Sequence, residues 1–227
     1  MAHDKALVSV NGASLSKPLT LSAQPKTDTS RKGGDPKKPA IRFESPILRV
    51  AHPTSSFRRT RLTFKPVGGT QHNYDQAGYM FVWPHPDLPN PDAEHPGTTE
   101  TGPFYVKVGI EVISGTPFAT CLANNGQLDF SAIPLAPGTE GDEITYEVMR
   151  YNGSLLVLLV RKGDDGQETP IPVRMIDWCL QENTERPNMW VGVHACRPDW
   201  NDEASGPLEV QITHFEVEDE HGATQYA

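Results

Sequence analysis

Lys107 and Glu111 stand four residues apart in the run Phe104-Tyr-Val-Lys-Val-Gly-Ile-Glu-Val-Ile, and His194 sits in a second run, Met189-Trp-Val-Gly-Val-His-Ala-Cys. An ammonium, a carboxylate and an imidazole sharing one surface supply either acid–base chemistry or the hydrogen bonding of a polar ligand. Side chains alternate between the two faces of a strand. Tyr105, Lys107 and Glu111 therefore share a face opposite Val106, Val108, Ile110 and Val112, and Trp190, His194 and Cys196 share one opposite Val191, Val193 and Ala195. Gln76, two residues before Gly78, is expected on the same polar surface. Four strand residues span about 13 Å, so Lys107 and Glu111 must find partners on neighbouring strands instead of each other.

Three kinds of chemistry can be tested against this pattern. A retaining glycosidase needs two carboxylates about 5 Å apart, and Glu111 stands alone on its strand, with only Asp129 or Glu147 able to approach from elsewhere. A Cys196–His194 nucleophile pair lacks a third, orienting group, and Cys196 reads as a half-buried small apolar residue. A metal site needs clustered ligands. Asp199 and Asn201-Asp-Glu offer a fragment of an oxygen-ligand site, and His85, Asp87, Asp92, Glu94 and His95 stand in one 20-residue loop, 84–103. The six prolines of that loop favour a stiff lid over a zinc site, so neither a metal nor a cofactor is expected. Long irregular connections in compact domains tend to be functional. Trp83 at the root of this lid and Trp200 in the stretch 197–207 either clamp a planar or sugar-like ligand or plug the ends of the core.

The elements that must position these groups are strands. From Ile41 onward about ten short segments rich in β-branched and aromatic residues are separated by Gly68-Gly69, Ser114-Gly115, Asn125-Gly126, Asn152-Gly153 and similar turn signals. With no helical period among them, they predict an all-β fold of two antiparallel sheets. Leu155-Leu-Val-Leu-Leu-Val is apolar throughout and is expected to be covered on both faces, whereas Met175-Ile-Asp-Trp-Cys-Leu is open between strand and a turn of helix. Residues 1–42 carry eight Lys or Arg against three Asp, and their Lys-, Pro- and Ser-rich composition predicts a disordered basic segment over 1–40, although Ala6-Leu-Val-Ser-Val could add a strand to a sheet edge. A folded domain is expected over 41–220 and a short tail over 221–227. The overall charge of −9 argues against nucleic acid as a partner. No apolar run is long enough for a membrane helix. Three widely spaced cysteines and a start without an apolar leader core point to the cytoplasm.

Five linked motifs carry a family resemblance. Tyr74-Asp-Gln-Ala-Gly-Tyr-Met, Tyr105-Val-Lys-Val-Gly-Ile-Glu, Asn125 to Phe130, Val173-Arg-Met, and Trp190-Val-Gly-Val-His-Ala-Cys-Arg-Pro with Ile212-Thr-His-Phe-Glu-Val follow one another as in regulation-of-enolase proteins. The chain departs from that pattern at Phe130, where a Trp is usual, and at His194, where a Tyr is common. The resemblance implies a concanavalin A-like jelly-roll β-sandwich whose curved sheet forms a groove. It also implies a binding or regulatory protein in carbohydrate metabolism, with a small-molecule or carbohydrate-like ligand and a protein partner also open. Gln76, Tyr105, Lys107, Glu111, Asp129, Trp190, His194, Trp83 and Trp200 are the candidate ligand-binding residues. An enzyme, whether cyclase, isomerase or glycan-processing, would use Glu111, Lys107 and His194 as its acid and base groups.

Overall fold

The computed structural model describes residues 6–31, 41–70, 72–136, 141–163, 165–181, 186–198 and 206–227. Within them every regular element is a strand, numbered here in chain order. One sheet has seven strands in the order β1 (Val8–Val10), β5 (Ile47–Pro53), β14 (Asn188–Cys196), β7 (Gln76–Trp83), β8 (Phe104–Ile113), β9 (Thr116–Asn124) and β10 (Leu128–Pro134). The second runs β13 (Glu168–Ile176), β12 (Ser154–Lys162), β11 (Ile144–Tyr151), β6 (Phe57–Pro66), β15 (Leu208–Asp219) and β16 (Gly222–Gln225), and β2 (Thr20–Ala23) adds to it by pairing with β15. A third, two-stranded sheet is made of β3 (Thr29–Arg31) and β4 (Ile41–Phe43).

The alternation of residues along the strands builds the core between the two large sheets. Val106, Val108, Val191, Val193 and Ala195 from the first sheet meet Leu62, Phe64, Tyr146, Val148, Leu155 and Val157 from the second in one buried cluster. The turns do what their residues dictate: Asn152 and Gly153 both take positive φ (49° and 84°) between β11 and β12. A two-residue hairpin matched to strand twist requires that conformation at both positions. The apolar run in β12 is covered unequally: Leu155, Val157 and Leu159 enter the core, Leu158 is buried outside that cluster, and Leu156 and Val160 are half-buried. The segment Asp177–Leu180 forms bends and a turn, not a helix.

The basic N-terminal segment is not a disordered tail in the described residues 6–31. Val8–Val10 adds to the edge of the first sheet beside β5, as one reading of Ala6-Leu-Val-Ser-Val anticipates. Leu19, Leu21 and Ala23 alternate into the main core, because β2 places every second residue inward against β15. The segment then crosses the outer face of the first sheet as β3, and the chain returns over it as β4. Residues 32–40 lie outside the described part. The C-terminal tail is likewise structured, with β16 paired to β15 and Tyr226 packed on Phe215.

Candidate functional site

The outer face of the first sheet carries the predicted polar residues in register. Gln76 lies opposite Glu111, Gly78 opposite Gly109, Met80 opposite Lys107 and Val82 opposite Tyr105 across the β7–β8 pair. On the other side of β7, Cys196 lies opposite Gln76, His194 opposite Gly78 and Trp190 opposite Val82. Gly78 and Gly109 allow this central pair to close up, for a Cβ on Gly109 would stand 1.9 Å from the Ala77 carbonyl oxygen.

Lys107 and Glu111 are joined through the neighbouring strand. The Lys107 ammonium donates to Gln76 Oε1 at 2.6 Å, and Gln76 Nε2 donates to Glu111 Oε1 at 3.2 Å. The remaining partners of Lys107 come from the N-terminal strap. Its Nζ donates to the Thr29 carbonyl at 2.9 Å and lies 4.0 Å from the Asp28 carboxylate. Beside it, Thr29 Oγ1 and Ser45 Oγ are 2.6 Å apart, Ser45 Oγ and Cys196 Sγ 2.8 Å, and Cys196 Sγ and His194 Nδ1 3.5 Å. Farther along, Phe43 of β4 seals the face. It meets the Trp190 ring edge-on at 6.3 Å and closes a second apolar cluster with Ile47, Met80, Val82 and Tyr105. Arg49 stacks on the Trp190 ring from its own side, 4.3 Å from the centroid.

The expected groove is therefore filled at its centre by the protein's own chain. Lys107 is 7 % exposed and His194 2 %. Electrostatics follow from that burial. Desolvation alone would lower the Lys107 ammonium, but Asp28, with smaller contributions from Cys196, Tyr105 and Glu111, outweighs it and holds the group above its ordinary value. Burial, helped by the charge of Lys107, drives His194 well below the imidazole range, so the ring is neutral. Burial pushes the Cys196 thiol up to about 11. A neutral imidazole beside a protonated thiol is not a nucleophile pair, since attack needs the thiolate. Glu111 is half-buried at the margin of the strap, and desolvation raises its carboxyl above the ordinary range against the pull of Lys107.

Two predicted site residues lie elsewhere, and one cannot be placed. Asp129 points to the opposite side of its sheet, because it pairs with Ala123, a residue of the intersheet core, and its carboxylate binds Arg174 of β13. Trp83 also faces the intersheet core, where it meets Trp178 edge-on at 5.2 Å and plugs one end of the sandwich. Trp200 lies outside the described residues. Sequence reasoning also missed several contributors. Asp28, Thr29 and Ser45 complete the polar centre, and Arg197 holds Asp75 in a buried two-point ion pair at 3.0 and 2.9 Å. Both members of that pair occur within the quoted motifs, but only the fold brings them together.

One strip of the outer face stays uncovered. Register continues the polar face from Glu111 to Phe118 and from Lys107 to Leu122, and then from Leu122 to Phe130 and Asn124 to Leu128 on the edge strand β10. Phe130 is 39 % exposed and Leu128 53 %, while Phe118 and Leu122 are half-exposed. Thr120, buried at 6 % exposure, stands between Gly109 and Ala132 beneath this strip. The strip thus sets aromatic and aliphatic surface beside one carboxylate. Among the described residues no group of three or more His, Cys, Asp or Glu side chains gathers to hold a metal ion. No helix there is long and apolar enough to cross a membrane.

Residues 10–220 match the model of DUF1349, a family described as proteins of unknown function. The chain belongs to that family. It is 28 % identical over 200 residues to an uncharacterised protein of Emericella nidulans, covering 88 % of this chain and 86 % of that one. Among solved structures, a functionally unknown protein from Saccharomyces cerevisiae superposes with a TM-score of 0.64 at 20 % identity, over 94 % of this chain and 96 % of that one. Winged bean acidic lectin, in complex with methyl-α-D-galactose, superposes with a TM-score of 0.55 at 15 % identity, over 92 % and 91 %. These likenesses show the fold, an all-β concanavalin A-like jelly-roll sandwich of two antiparallel sheets.

Proposed function

We propose that this DUF1349 protein binds a carbohydrate-like ligand without chemically changing it, using the uncovered strip of the outer face around Phe118, Leu122, Leu128, Phe130 and Glu111. One observation carries this reading: the acid and base candidates at the centre of the face are sealed beneath the protein's own strap, and the surface left open is aromatic with a single carboxylate at its rim. Sugar rings present an apolar face of C–H groups that packs on aromatic surface, and their hydroxyls donate to carboxylates. The lectin fold of winged bean supports this ligand class, since the partner in that structure is methyl-α-D-galactose. The resemblance to regulation-of-enolase proteins favours a regulatory role in carbohydrate metabolism in the cytoplasm, with the binding event as its input.

The alternative, a small-molecule enzyme, needs a second ionisable group within reach of Glu111. Lys107 is held by Gln76 Oε1 and the Thr29 carbonyl, and His194 by its burial beside Cys196. Both are committed to structure. Calorimetric titration with a panel of monosaccharide glycosides, beginning with methyl-α-D-galactose, tests the reading. A ligand bound by the natural protein should bind about tenfold more weakly to Phe130→Ala, which loses the stacking surface. Glu111→Gln should weaken it by a similar factor, because a charged acceptor is exchanged for a neutral one. Conversion of any such ligand to product by the natural protein, or affinity untouched by both substitutions, would sink the proposal.

A further inference from the structure

The connection between β7 and β8 holds a cavity of about 220 Å³ lined by His85, Leu88, Pro89, Pro91, His95 and Pro103, among others. It is separate from the strip described above. The loop that forms it is fixed at both ends by Arg186, which donates to the Trp83 carbonyl at 2.7 Å and the Gly102 carbonyl at 3.1 Å and lies 4.0 Å over the Phe104 ring. Its middle is fixed as well. The Ala93 amide donates to Asn11 Oδ1 at 2.9 Å, and Arg31 donates to the Thr99 carbonyl. A cavity held open in this way costs little ordering entropy to fill.

The two imidazoles in the wall have their proton positions set by their neighbours. His85 Nδ1 accepts the Asp87 amide at 3.2 Å, so the neutral ring carries its proton on Nε2, as a donor. His95 Nδ1 faces Asp92 Oδ1 at 3.0 Å and donates to it, so the neutral ring leaves Nε2 as an acceptor. The Thr101 hydroxyl is already engaged, receiving the Thr98 amide at 3.1 Å and sharing a contact with Thr98 Oγ1 at 3.0 Å. The rest of the named wall is proline and leucine. Further hydroxyls on a ligand would find no partner in that wall beyond the two imidazoles. A single hydroxyl offers both an acceptor for the His85 donor and a donor for the His95 acceptor, and a flat ring suits the proline faces. A cavity of about 150 Å³ admits benzene, so one substituted ring fits here.

We infer that the lid cavity is a binding site for small single-ring phenols, with the leucine and prolines holding the ring and the His85–His95 pair holding the hydroxyl. The test follows the imidazole Cε1–H resonances of the full chain, assigned through His85→Gln and His95→Gln, during titration with phenol and with anisole, which keeps the ring but has no hydroxyl proton. Phenol should move both resonances saturably with a dissociation constant on the order of 1 mM, and anisole should bind at least about fivefold more weakly for want of one hydrogen bond. Leu88→Arg should abolish the phenol response while leaving the amide spectrum of the core strands unchanged, because Leu88 is 41 % exposed and lies outside the core. No saturable movement up to about 10 mM phenol overturns the inference. So does anisole binding that falls short of the fivefold deficit, or a phenol response that survives in Leu88→Arg.

Discussion

Lys107 serves two acceptors and a carboxylate at once, and that determines what its loss would do. Replacing it with Met leaves Gln76 Oε1, the Thr29 carbonyl and the Asp28 carboxylate facing apolar surface where a cation had been. Breaking one side of a buried ionic contact costs about 3 kcal/mol or more. Lys107→Met is therefore expected to lower unfolding free energy by about 3 kcal/mol in urea titration, and a change within experimental error would show that the strap does not depend on it. Glu111 behaves in the opposite sense. Its carboxyl is raised above the ordinary glutamate value of 4.5, chiefly by desolvation, so the folded chain binds its proton more tightly than the unfolded chain. The stability this contributes is present below the ordinary carboxylate range and is lost as pH rises through the raised value. Glu111→Gln should consequently be more stable than the natural protein at neutral pH, with the difference fading on acidification below 4.5. Thermal midpoints of the two proteins between acidic and neutral pH check this, and an advantage that grew on acidification would contradict it. The shared face of these residues was legible from strand parity alone. Their partners were not, because Asp28, Thr29 and Ser45 belong to segments with no side-chain pattern that announces where the backbone will run.

The strap is the element that separates expectation from structure. Its Lys-, Pro- and Ser-rich composition reads as disorder, and within 6–31 composition misleads because a few residues suffice to dock a short strand. The overlooked signal is the alternation Leu19-Thr-Leu-Ser-Ala, whose apolar members Leu19, Leu21 and Ala23 are buried at 3 %, 0 % and 0 % exposure. Burying each leucine contributes about 1.5–3 kcal/mol, and a domain of this size shifts its midpoint by about 2–4 °C per kcal/mol. Deleting residues 6–31 is thus expected to lower the thermal midpoint by about 10 °C or more, measured by circular dichroism. A midpoint within a degree or two of the full chain would mean the strap is an accessory. The strands from Ile41 onward were readable because β-branched alternation and Asn-Gly or Ser-Gly turns repeat along them. The lid over 84–103 was readable as a stiff loop from its prolines, but the cavity within it was not, since no spacing rule foretells that His85 and His95 share a wall.

At the scale of the whole molecule, two sheets form a concanavalin A-like sandwich and a third, two-stranded layer closes the face where a ligand groove was expected. The charge is divided in the same way. Residues 1–42 carry a net +5, eight basic residues less three acidic, against a total of −9 for the chain. Among the described residues the strap meets the sheet through Asp28 beside Lys107, next to the apolar seal made by Phe43 against Trp190. Under the proposed function the ligand is recognised along the rim of that face, since among the described residues Lys107 and His194 lie buried beneath the strap. Backbone amide shifts during titration with the monosaccharide glycoside panel test this most directly. Perturbations from a bound sugar are expected to gather on Glu111, Phe118, Leu122, Leu128 and Phe130 and to leave Lys107, Trp190 and His194 still; perturbations centred on those buried three, with the strap displaced, would overturn the assignment of the strip.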